Sequence, residues 1–554
     1  MTLLTSLGLW AAWMGLPSVP IEPVSTEHAR AAVCACARRD SSTGRGSQGT
    51  GTETPSQRRG RDGTGGGTRR LRRGRCASAP RDPCLEWTTH RRTSLAGAAG
   101  HRPGPAAAGK EVQHADKGWR QSRRRDAAGA EQTPVAPRRD SDGGAAHAQP
   151  VWPGPDRPPP TDGLPEPGAS GIEHVVWVMM ENRSFEHFLG WLPGANGQQA
   201  GGTYPDRTGG MQPTYRLAPD FQGCGHPDPD HSYQGGRIAY HGGAVDGWLQ
   251  AGANDTYAIG YDTDADLAFL GQAARAWTVG DHSCASLMAD TFPNRLDQHA
   301  APTDRLRNPE TLTTRPTIWD RLADARLEGR YSFSDAPFLG LWGTTDRSLA
   351  RPFGAFLFDA FTEQLPQVAF VEPRLLANAR GTSGDDHPFA DLRTGEAFLG
   401  LISAALTRSP AWAQTVLVIT DDEWGGFFEH VPPPERPLPA ADVAAGATDG
   451  LLGFRVPCLL IAPSAPAGVS SLVFDHTSVL RLIEWRWQLP PLTIRDATAT
   501  NLAAALDFRM ARRTAPPLRV PVRPFGAPCE RATAVAADHW QRLLTVAHGL
   551  GWPR

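Results

Sequence analysis

The sequence predicts an α/β fold in which a mostly parallel central sheet carries helices on both faces. Three observations lead to this prediction. From about residue 170 onward, apolar runs with strand character alternate with segments of helical periodicity. Several of these runs are apolar throughout, as is typical of strands that are buried on both sides. Carboxylate, amide and other polar side chains follow the runs directly, at the strand ends where open α/β sheets bind ligands.

The elements can be placed in chain order. The predicted strands cover residues 175–180, 329–333, 367–372, 415–420 and 456–462. The predicted helices cover residues 317–327, 395–408 and 476–487. Residues 191–265 are rich in Gly, Asp, Pro and Tyr, and we expect them to form a long insertion over the site.

Composition divides the chain into unequal parts. Residues 1–165 are crowded with Arg, Gly, Ala, Pro, Ser and Thr and show almost no apolar periodicity. Such a stretch cannot bury enough apolar surface to offset its ordering entropy. We therefore expect a disordered leader over 1–165, which an overextended gene start would explain. A folded domain over 166–510 and a C-terminal tail over 511–554 would follow it.

Charge limits the classes of partner. The chain carries 56 basic and 58 acidic side chains, and the leader is basic. A basic leader could bind phosphates, but it lacks the interleaved aromatic residues of RNA-binding segments. No specific nucleic-acid partner and no transmembrane segment are therefore expected. Residues 1–20 are apolar but lack the positively charged start of a signal peptide.

The first candidate site motif is Glu-Asn-Arg-Ser-Phe at residues 181–185, directly after the predicted strand 175–180. Its carboxylate Glu181 and its amide Asn182 offer oxygen ligands, which hard cations prefer. The alternative explanation is a strand end that is capped by solvated polar residues.

Two further motifs lie at a predicted helix start and a predicted strand end. Thr291 lies two residues before Pro293, near a helix N-cap, where free N–H groups and the helix dipole attract anions. The three acids at 421–423 follow the strand 415–420 and would repel each other unless a cation or an Arg lies between them. A simple capping threonine and solvated loop acids are the alternatives.

Histidines next to acids complete the set of candidates. His231 lies between aspartates and a serine at 228–232, and His387 follows Asp385 and Asp386. A fifth motif, Asp-His-Thr-Ser, occupies residues 475–478, and this pattern is also typical of a helix cap. A lone histidine near acids is more often a surface or capping residue than a catalyst.

Taken in order, five motifs resemble the bacterial phosphoesterase family over residues 171–490. They are Glu-Asn-Arg-Ser-Phe, Thr-Phe-Pro-Asn-Arg, Asp-Asp-His-Pro, Asp-Glu-Trp-Gly-Gly-Phe-Phe and Asp-His-Thr-Ser. That family contains phospholipases C of the phosphatidylcholine type and acid phosphatases, within the alkaline phosphatase-like superfamily. The resemblance implies an alkaline phosphatase-like catalytic domain over 166–510 that hydrolyses phosphoric esters. The substrate would be a small phosphoester or a phospholipid.

The resemblance also implies a role for single residues. Thr291 matches the nucleophile, which would form a phosphothreonine intermediate. His231 and His387 resemble the histidines that contact phosphate or protonate the leaving group. One divalent ion (Ca²⁺, Mg²⁺, Mn²⁺ or Zn²⁺) is implied, and the residues that match its ligands are Glu181, Asn182, Thr291, Asp422 and Glu423.

Departures from the family pattern affect the expected substrate. Glu186 and Glu429 stand where Asp is usual, and Asp421 replaces a usual aromatic residue. Only about 60 residues follow residue 490, where the resemblance ends, so the extra β domains of many phospholipases are expected to be absent, which favours a small soluble phosphoester. The residues that could form either an apolar rim for a lipid or part of the core are Trp191, Trp248, Trp342, Trp424, Phe427 and Phe428.

The sequence leaves one alternative open for the function and one for the cellular location. A non-catalytic relative, which would keep the fold and act as a binding protein, is the alternative to an enzyme. Members of the family are often exported, so the resemblance implies a secreted or cell-envelope protein. The absence of a convincing signal peptide leaves a cytoplasmic location open.

Overall fold

The computed structural model describes residues 163–510, 514–529 and 539–553. The leader expected over 1–165 therefore falls almost entirely outside the described residues. Among the described residues, no helix combines the length and the apolar character that crossing a bilayer requires.

The strands are numbered in chain order. They are β1 (His174–Met180), β2 (Thr203–Pro205), β3 (Met211–Pro213), β4 (Tyr215–Arg216), β5 (Gly260–Tyr261), β6 (Thr278–Ser283), β7 (Gly329–Phe333), β8 (Ala350–Pro352), β9 (Val368–Glu372), β10 (Thr415–Asp421), β11 (Cys458–Ile461) and β12 (Gly468–Phe474).

The α-helices are numbered in the same way, and short 3-10 turns lie between them. They are α1 (Phe185–Leu189), α2 (Tyr233–Tyr240), α3 (Leu270–Ala276), α4 (Thr291–Ala300), α5 (Ile318–Asp324), α6 (Phe353–Phe361), α7 (Leu392–Thr407), α8 (Ala440–Ala445), α9 (Thr477–Trp487), α10 (Ile494–Thr498) and α11 (His539–Gly549).

An eight-stranded sheet forms the centre of the fold, in the order β12-β6-β11-β10-β1-β9-β7-β8. Strand β11 runs antiparallel to both of its neighbours, and the other neighbouring strands pair in parallel. Every residue of β9, β10 and β11 is buried, so both faces of the central sheet are covered. The prediction of an α/β fold with a mostly parallel sheet is confirmed.

Three strands of the sheet, β6, β8 and β12, were not predicted from the sequence. Strand β8 has only three residues and ends in a proline. Strand β6 carries Gly280, Asp281 and His282 in its middle, which hides its strand character. Strand β12 is the edge strand, and most of its first five residues are partly or fully exposed. The predicted strands and helices all occur, with boundaries that differ by one to three residues.

Six aromatic residues could, from the sequence, form either an apolar rim for a lipid or part of the core, and in the structure most of them lie in the core. Trp248, Trp424 and Phe428 belong to one buried cluster, and Phe427 belongs to a second. Trp342 is buried, whereas Trp191 is partly buried. Five of these six side chains therefore cannot form an exposed apolar rim in this conformation.

A disulfide bond connects the predicted insertion with the C-terminal part of the chain. It joins Cys224 to Cys529 across a sequence separation of 305 residues. Cys284 and Cys458 are free and buried, as expected of small core residues.

A buried glutamate makes folding stability depend on pH. Glu396 on α7 accepts hydrogen bonds from the backbone N–H groups of Phe269 and Leu270, at the start of α3. Burial raises the pKa of Glu396 to about 8. The unfolded chain loses this proton from about pH 4.5 upward, whereas the folded protein keeps it until about pH 8. Stability is therefore lost as the pH rises between these values, by up to about 5 kcal/mol.

The variant Glu396→Gln cannot ionise, and we expect it to gain stability relative to the wild type as the pH rises from 5 to 8. Urea unfolding of both proteins at several pH values in this range measures the difference. A difference that stays constant with pH would show that Glu396 is ionised in the folded protein.

Candidate active site

The carboxyl ends of two neighbouring parallel strands bring the first and third motifs together. Met180 at the end of β1 pairs with Asp421 at the end of β10, so Glu181 and Asp422 leave the sheet at the same level. The backbone N–H of Asn182 donates to Oδ1 of Asp422 at 3.0 Å, and its side-chain Nδ2 donates to the same oxygen at 3.1 Å. These side chains are buried.

The start of helix α4 adds the hydroxyl group to this cluster. Thr291 is the first residue of α4, and its Oγ1 lies 3.5 Å from Nδ2 of Asn182. Nδ2 of Asn182 also contacts Oε1 of Glu423. The structure thus brings Asn182, Thr291, Asp422 and Glu423 into direct contact, and it places Glu181 next to them through an arginine.

That arginine is Arg295, which the sequence prediction did not assign. Its buried guanidinium lies 3.1 Å from Oε1 of Glu181 and 3.4 Å from Oδ2 of Asp422, and it also pairs with Glu372 at the end of β9. The signal was present in the sequence, because three consecutive acids at 421–423 require a cation or an Arg and the Thr-Phe-Pro-Asn-Arg motif supplies one.

Two glycines let the backbone approach this cluster. Gly425 and Gly426 have φ angles of 63° and 73°. A Cβ on Gly425 would lie 1.9 Å from the carbonyl oxygen of Asn182, and one on Gly426 would lie 2.6 Å from Cβ of Pro229. The two glycines therefore permit a close approach of the backbone, which brings the loop that carries His231 to the site.

The two predicted histidines lie at the edge of the acidic cluster. Nε2 of His231 is 3.9 Å from Oε1 of Glu423, and its Nδ1 donates to the carbonyl of Pro229 at 2.7 Å. The ring centroids of His231 and His387 are 6.5 Å apart. Arg183 holds the second loop, because its guanidinium donates to the carbonyl oxygens of Asp386 and His387 at 2.6 Å and 3.2 Å.

The two histidines have opposite protonation tendencies. Burial alone would lower the pKa of His231, but the charges of Glu423, Asp228 and Asp290 raise it to about 10. Burial and the charge of His231 lower the pKa of His387 well below its usual range. His231 is therefore a positively charged imidazolium, and His387 is a neutral imidazole.

The residues present fit a divalent cation. Burial, followed by the charge of Asp422, raises the pKa of Glu181 well above its usual range. Within the described part of the chain, Oε2 of Glu181 and Oδ1 of Asn182 have no hydrogen-bond partner, and Oε1 of Glu181 has the ion-pair contact with Arg295 but no hydrogen bond of good geometry. Arg295 neutralises only part of this charge, since it is shared among three carboxylates. Buried oxygens of this kind match the ligands of a hard cation.

Two of the three residues that depart from the family pattern, Glu186 and Glu429, form a separate cluster with His430. Ligand atoms of Glu186, Glu429 and His430 all lie within 4.8 Å of one another. The buried guanidinium of Arg455 lies 3.0 Å from Glu186 and 2.7 Å from Glu429. This cluster therefore contains its own counter-charge in Arg455.

The fifth motif serves both as a cap and as part of the site. Oδ1 of Asp475 accepts from the backbone N–H of Thr477 at 2.8 Å, at the start of α9. Nε2 of His476 donates to the carbonyl oxygen of Asp422 at 2.6 Å. His476 thereby holds the strand end that presents Asp422.

Comparisons with known proteins identify the family of this chain. The family model described as "Phosphoesterase family" matches residues 172–334 and 331–490. The chain belongs to this family, and it is a hydrolase that acts on phosphoric ester bonds. The resemblance to this family, which rests on the five motifs, is confirmed.

Curated relatives are named as phospholipases C. "Phospholipase C A" of Mycobacterium tuberculosis is 30% identical over 419 residues, which cover 62% of this chain and 79% of the relative. "Non-specific phospholipase C6" of Arabidopsis thaliana is 27% identical over 423 residues, which cover 68% of this chain and 80% of the relative.

Solved structures match more distantly. A protein in the alkaline phosphatase superfamily from Vibrio parahaemolyticus has a TM-score of 0.30 at 8% identity, and the match covers 59% of this chain and 70% of that one. The phosphonate monoester hydrolase of Agrobacterium radiobacter has a TM-score of 0.29 at 12% identity, with 61% and 77% covered.

Proposed function

We propose that this chain is a metal-dependent phospholipase C-type hydrolase that uses Thr291 as its nucleophile. The observation that carries the proposal is the buried contact of Asn182 with Thr291, Asp422 and Glu423 at the carboxyl ends of β1 and β10. The names of the curated relatives support the substrate class.

The cation would be held by oxygen atoms alone. This donor set suits Ca²⁺, Mg²⁺ or Mn²⁺ and is compatible with Zn²⁺. When bound, a divalent ion lowers the pKa of a nearby hydroxyl group and offsets negative charge on phosphoryl oxygens. The residues that would hold it are Glu181, Asn182, Thr291, Asp422 and Glu423.

The reaction would proceed through two displacements at phosphorus. The deprotonated Oγ of Thr291 attacks phosphorus, the bond from phosphorus to the leaving oxygen breaks, and a phosphothreonine forms. His231, the protonated imidazole of the pair, gives the leaving oxygen its proton. Water then attacks the phosphothreonine and passes a proton back to His231, the bond from phosphorus to Oγ breaks, and the headgroup leaves as a phosphomonoester.

The start of α4 stabilises the charge that develops in this reaction. Thr291 opens a helix of ten residues, whose first backbone N–H groups and dipole favour negative charge. The amide of Asn182 lies beside Oγ1 of Thr291 and would offer a further donor to a phosphoryl oxygen. Both groups are fixed before substrate arrives, so they cost no reorganisation during the reaction.

A second candidate function is hydrolysis of small soluble phosphomonoesters, as in acid phosphatases. One observation favours it: five of the six aromatic residues considered for a lipid rim are buried in the core. The same catalytic residues would serve, and the product would be inorganic phosphate.

Removal of divalent ions from the full-length protein is expected to abolish hydrolysis, and adding them back should restore it. The substrates are phosphatidylcholine vesicles, p-nitrophenyl phosphate and p-nitrophenyl phosphorylcholine, each with and without EDTA. Chelator-sensitive cleavage of phosphatidylcholine supports the phospholipase, whereas cleavage of p-nitrophenyl phosphate alone supports the phosphatase. Full activity after exhaustive chelation would contradict metal dependence.

A further inference from the structure

The C-terminal segment packs against the candidate active site. Helix α11 lies beyond residue 490, where the match to the family ends, and it contacts the turn Phe338–Trp342. Its first residue, His539, lies edge-on to Phe292, with ring centroids 5.0 Å apart and planes at 89°. Phe292 directly follows the proposed nucleophile, Thr291, so His539 lies within one side chain of it.

The next residue binds the helix to the buried charges of the site. Trp540 is completely buried, and its ring centroid lies 5.3 Å from the guanidinium carbon of Arg295. It also packs against Phe292 with ring centroids 5.2 Å apart. Since Arg295 pairs with Glu181 and Asp422, the start of α11 is fixed relative to the proposed metal ligands.

The rest of the segment is anchored to the same body of the protein. Three of its polar contacts join Arg542 Nε to Glu310 Oε1 at 2.5 Å, Trp552 Nε1 to the Gly343 carbonyl at 2.7 Å and Arg347 Nη1 to the Leu550 carbonyl at 2.9 Å. A Cβ on Gly340 would lie 2.9 Å from Cβ of Ala547, so the glycine permits this close packing.

A covalent bond links this segment with the insertion that carries His231. Cys529, ten residues before His539, forms the disulfide with Cys224, seven residues before His231. Burial, together with the positive charges of His231, Arg542 and Arg295, lowers the pKa of His539 to about 3. His539 is therefore a neutral imidazole near the protonated His231.

His539 has an unsatisfied hydrogen-bonding group. Its Nε2 atom is buried and has no hydrogen-bond partner among the described residues. Buried polar atoms of this kind are normally paired, so the absence points to a ligand. We propose that α11 completes the substrate site and that Nε2 of His539 donates a hydrogen bond to a phosphoryl oxygen of the bound phosphoester. This inference rests on the proposed function.

Binding of inorganic phosphate to the full-length protein tests this contact without relying on turnover. Phosphate would be titrated calorimetrically into each protein in the presence of the divalent ion that restores activity. The wild type would be compared with His539→Ala, His539→Asn and His539→Gln. Glutamine places its amide nitrogen near the position of Nε2, whereas asparagine places it near Nδ1. We expect the Ala and Asn variants to bind phosphate about tenfold or more weakly, and Gln to stay within a few-fold of the wild type.

The control is Thr545→Ala, which changes an exposed residue of the same helix and should leave phosphate affinity unchanged. If all three His539 variants bind phosphate as tightly as the wild type, the role of His539 is overturned while the proposed function stays in place. Equal losses in the Gln and Asn variants would also overturn it, because they would indicate a packing effect. A wild-type protein that neither binds phosphate nor cleaves any ester would overturn both proposals.

Discussion

Replacing Thr291 with alanine is expected to reduce turnover by a factor on the order of 10⁴ while leaving the fold intact. The variant lacks the oxygen that would bond to phosphorus, and the loss of a nucleophile is among the largest single-residue effects on catalysis. Among the described residues, Oγ1 of Thr291 takes part in one side-chain hydrogen bond, which it accepts from Nδ2 of Asn182 at 3.5 Å. Its removal should therefore cost little stability.

The matched control is Thr291→Ser, which keeps the hydroxyl group at the start of α4. We expect it to remain active, with a rate within about tenfold of the wild type. The steady-state rate on the preferred ester and the urea midpoint would be measured for all three proteins. More than a few per cent of wild-type activity in Thr291→Ala would remove this residue from the role of nucleophile.

Replacing Arg295 with methionine is expected to destabilise the protein by about 3–5 kcal/mol, because it leaves buried carboxylates without their counter-charge. Arg295 pairs with Glu181, Glu372 and Asp422, and all four side chains are buried. Methionine keeps much of the apolar volume, so the effect reports mainly the lost charge. Urea unfolding in EDTA isolates it from any contribution of a bound ion.

The control for this prediction is Arg275→Met. Arg275 pairs with Asp264 at 2.5 Å, but both side chains are largely exposed, so little change in stability is expected. An Arg295→Met variant that is as stable as Arg275→Met would show that the acids around Arg295 carry their own protons in the folded protein.

The core of the fold was predictable because its central strands are nearly continuous apolar runs. Strands β1, β9 and β10 are apolar over most of their length, and polar residues stand at or directly after the end of each strand. The direction of β11 was not predictable, since an apolar run carries no information about which way its strand runs in the sheet. Strand β6 was missed because Asp281 and His282 lie within it.

The candidate site was predictable where strand ends meet. Glu181 and Asp422 lie at equivalent positions on neighbouring parallel strands, so sequence order and sheet geometry together bring them close. The contributions of Arg295 and His539 were not predicted. Arg295 contacts acids from three different strands, and His539 approaches from a helix more than 200 residues beyond Thr291. Such contacts depend on tertiary packing that local patterns do not encode.

The stereochemical course at phosphorus tests the central claim, two displacements through a phosphothreonine, most directly. A substrate that is chiral at phosphorus through oxygen isotopes would be hydrolysed by the full-length protein, and the configuration of the product determined. Two in-line displacements invert the configuration twice, so the proposal predicts net retention. Net inversion would contradict it, because it requires a single displacement by water with no covalent intermediate on Thr291.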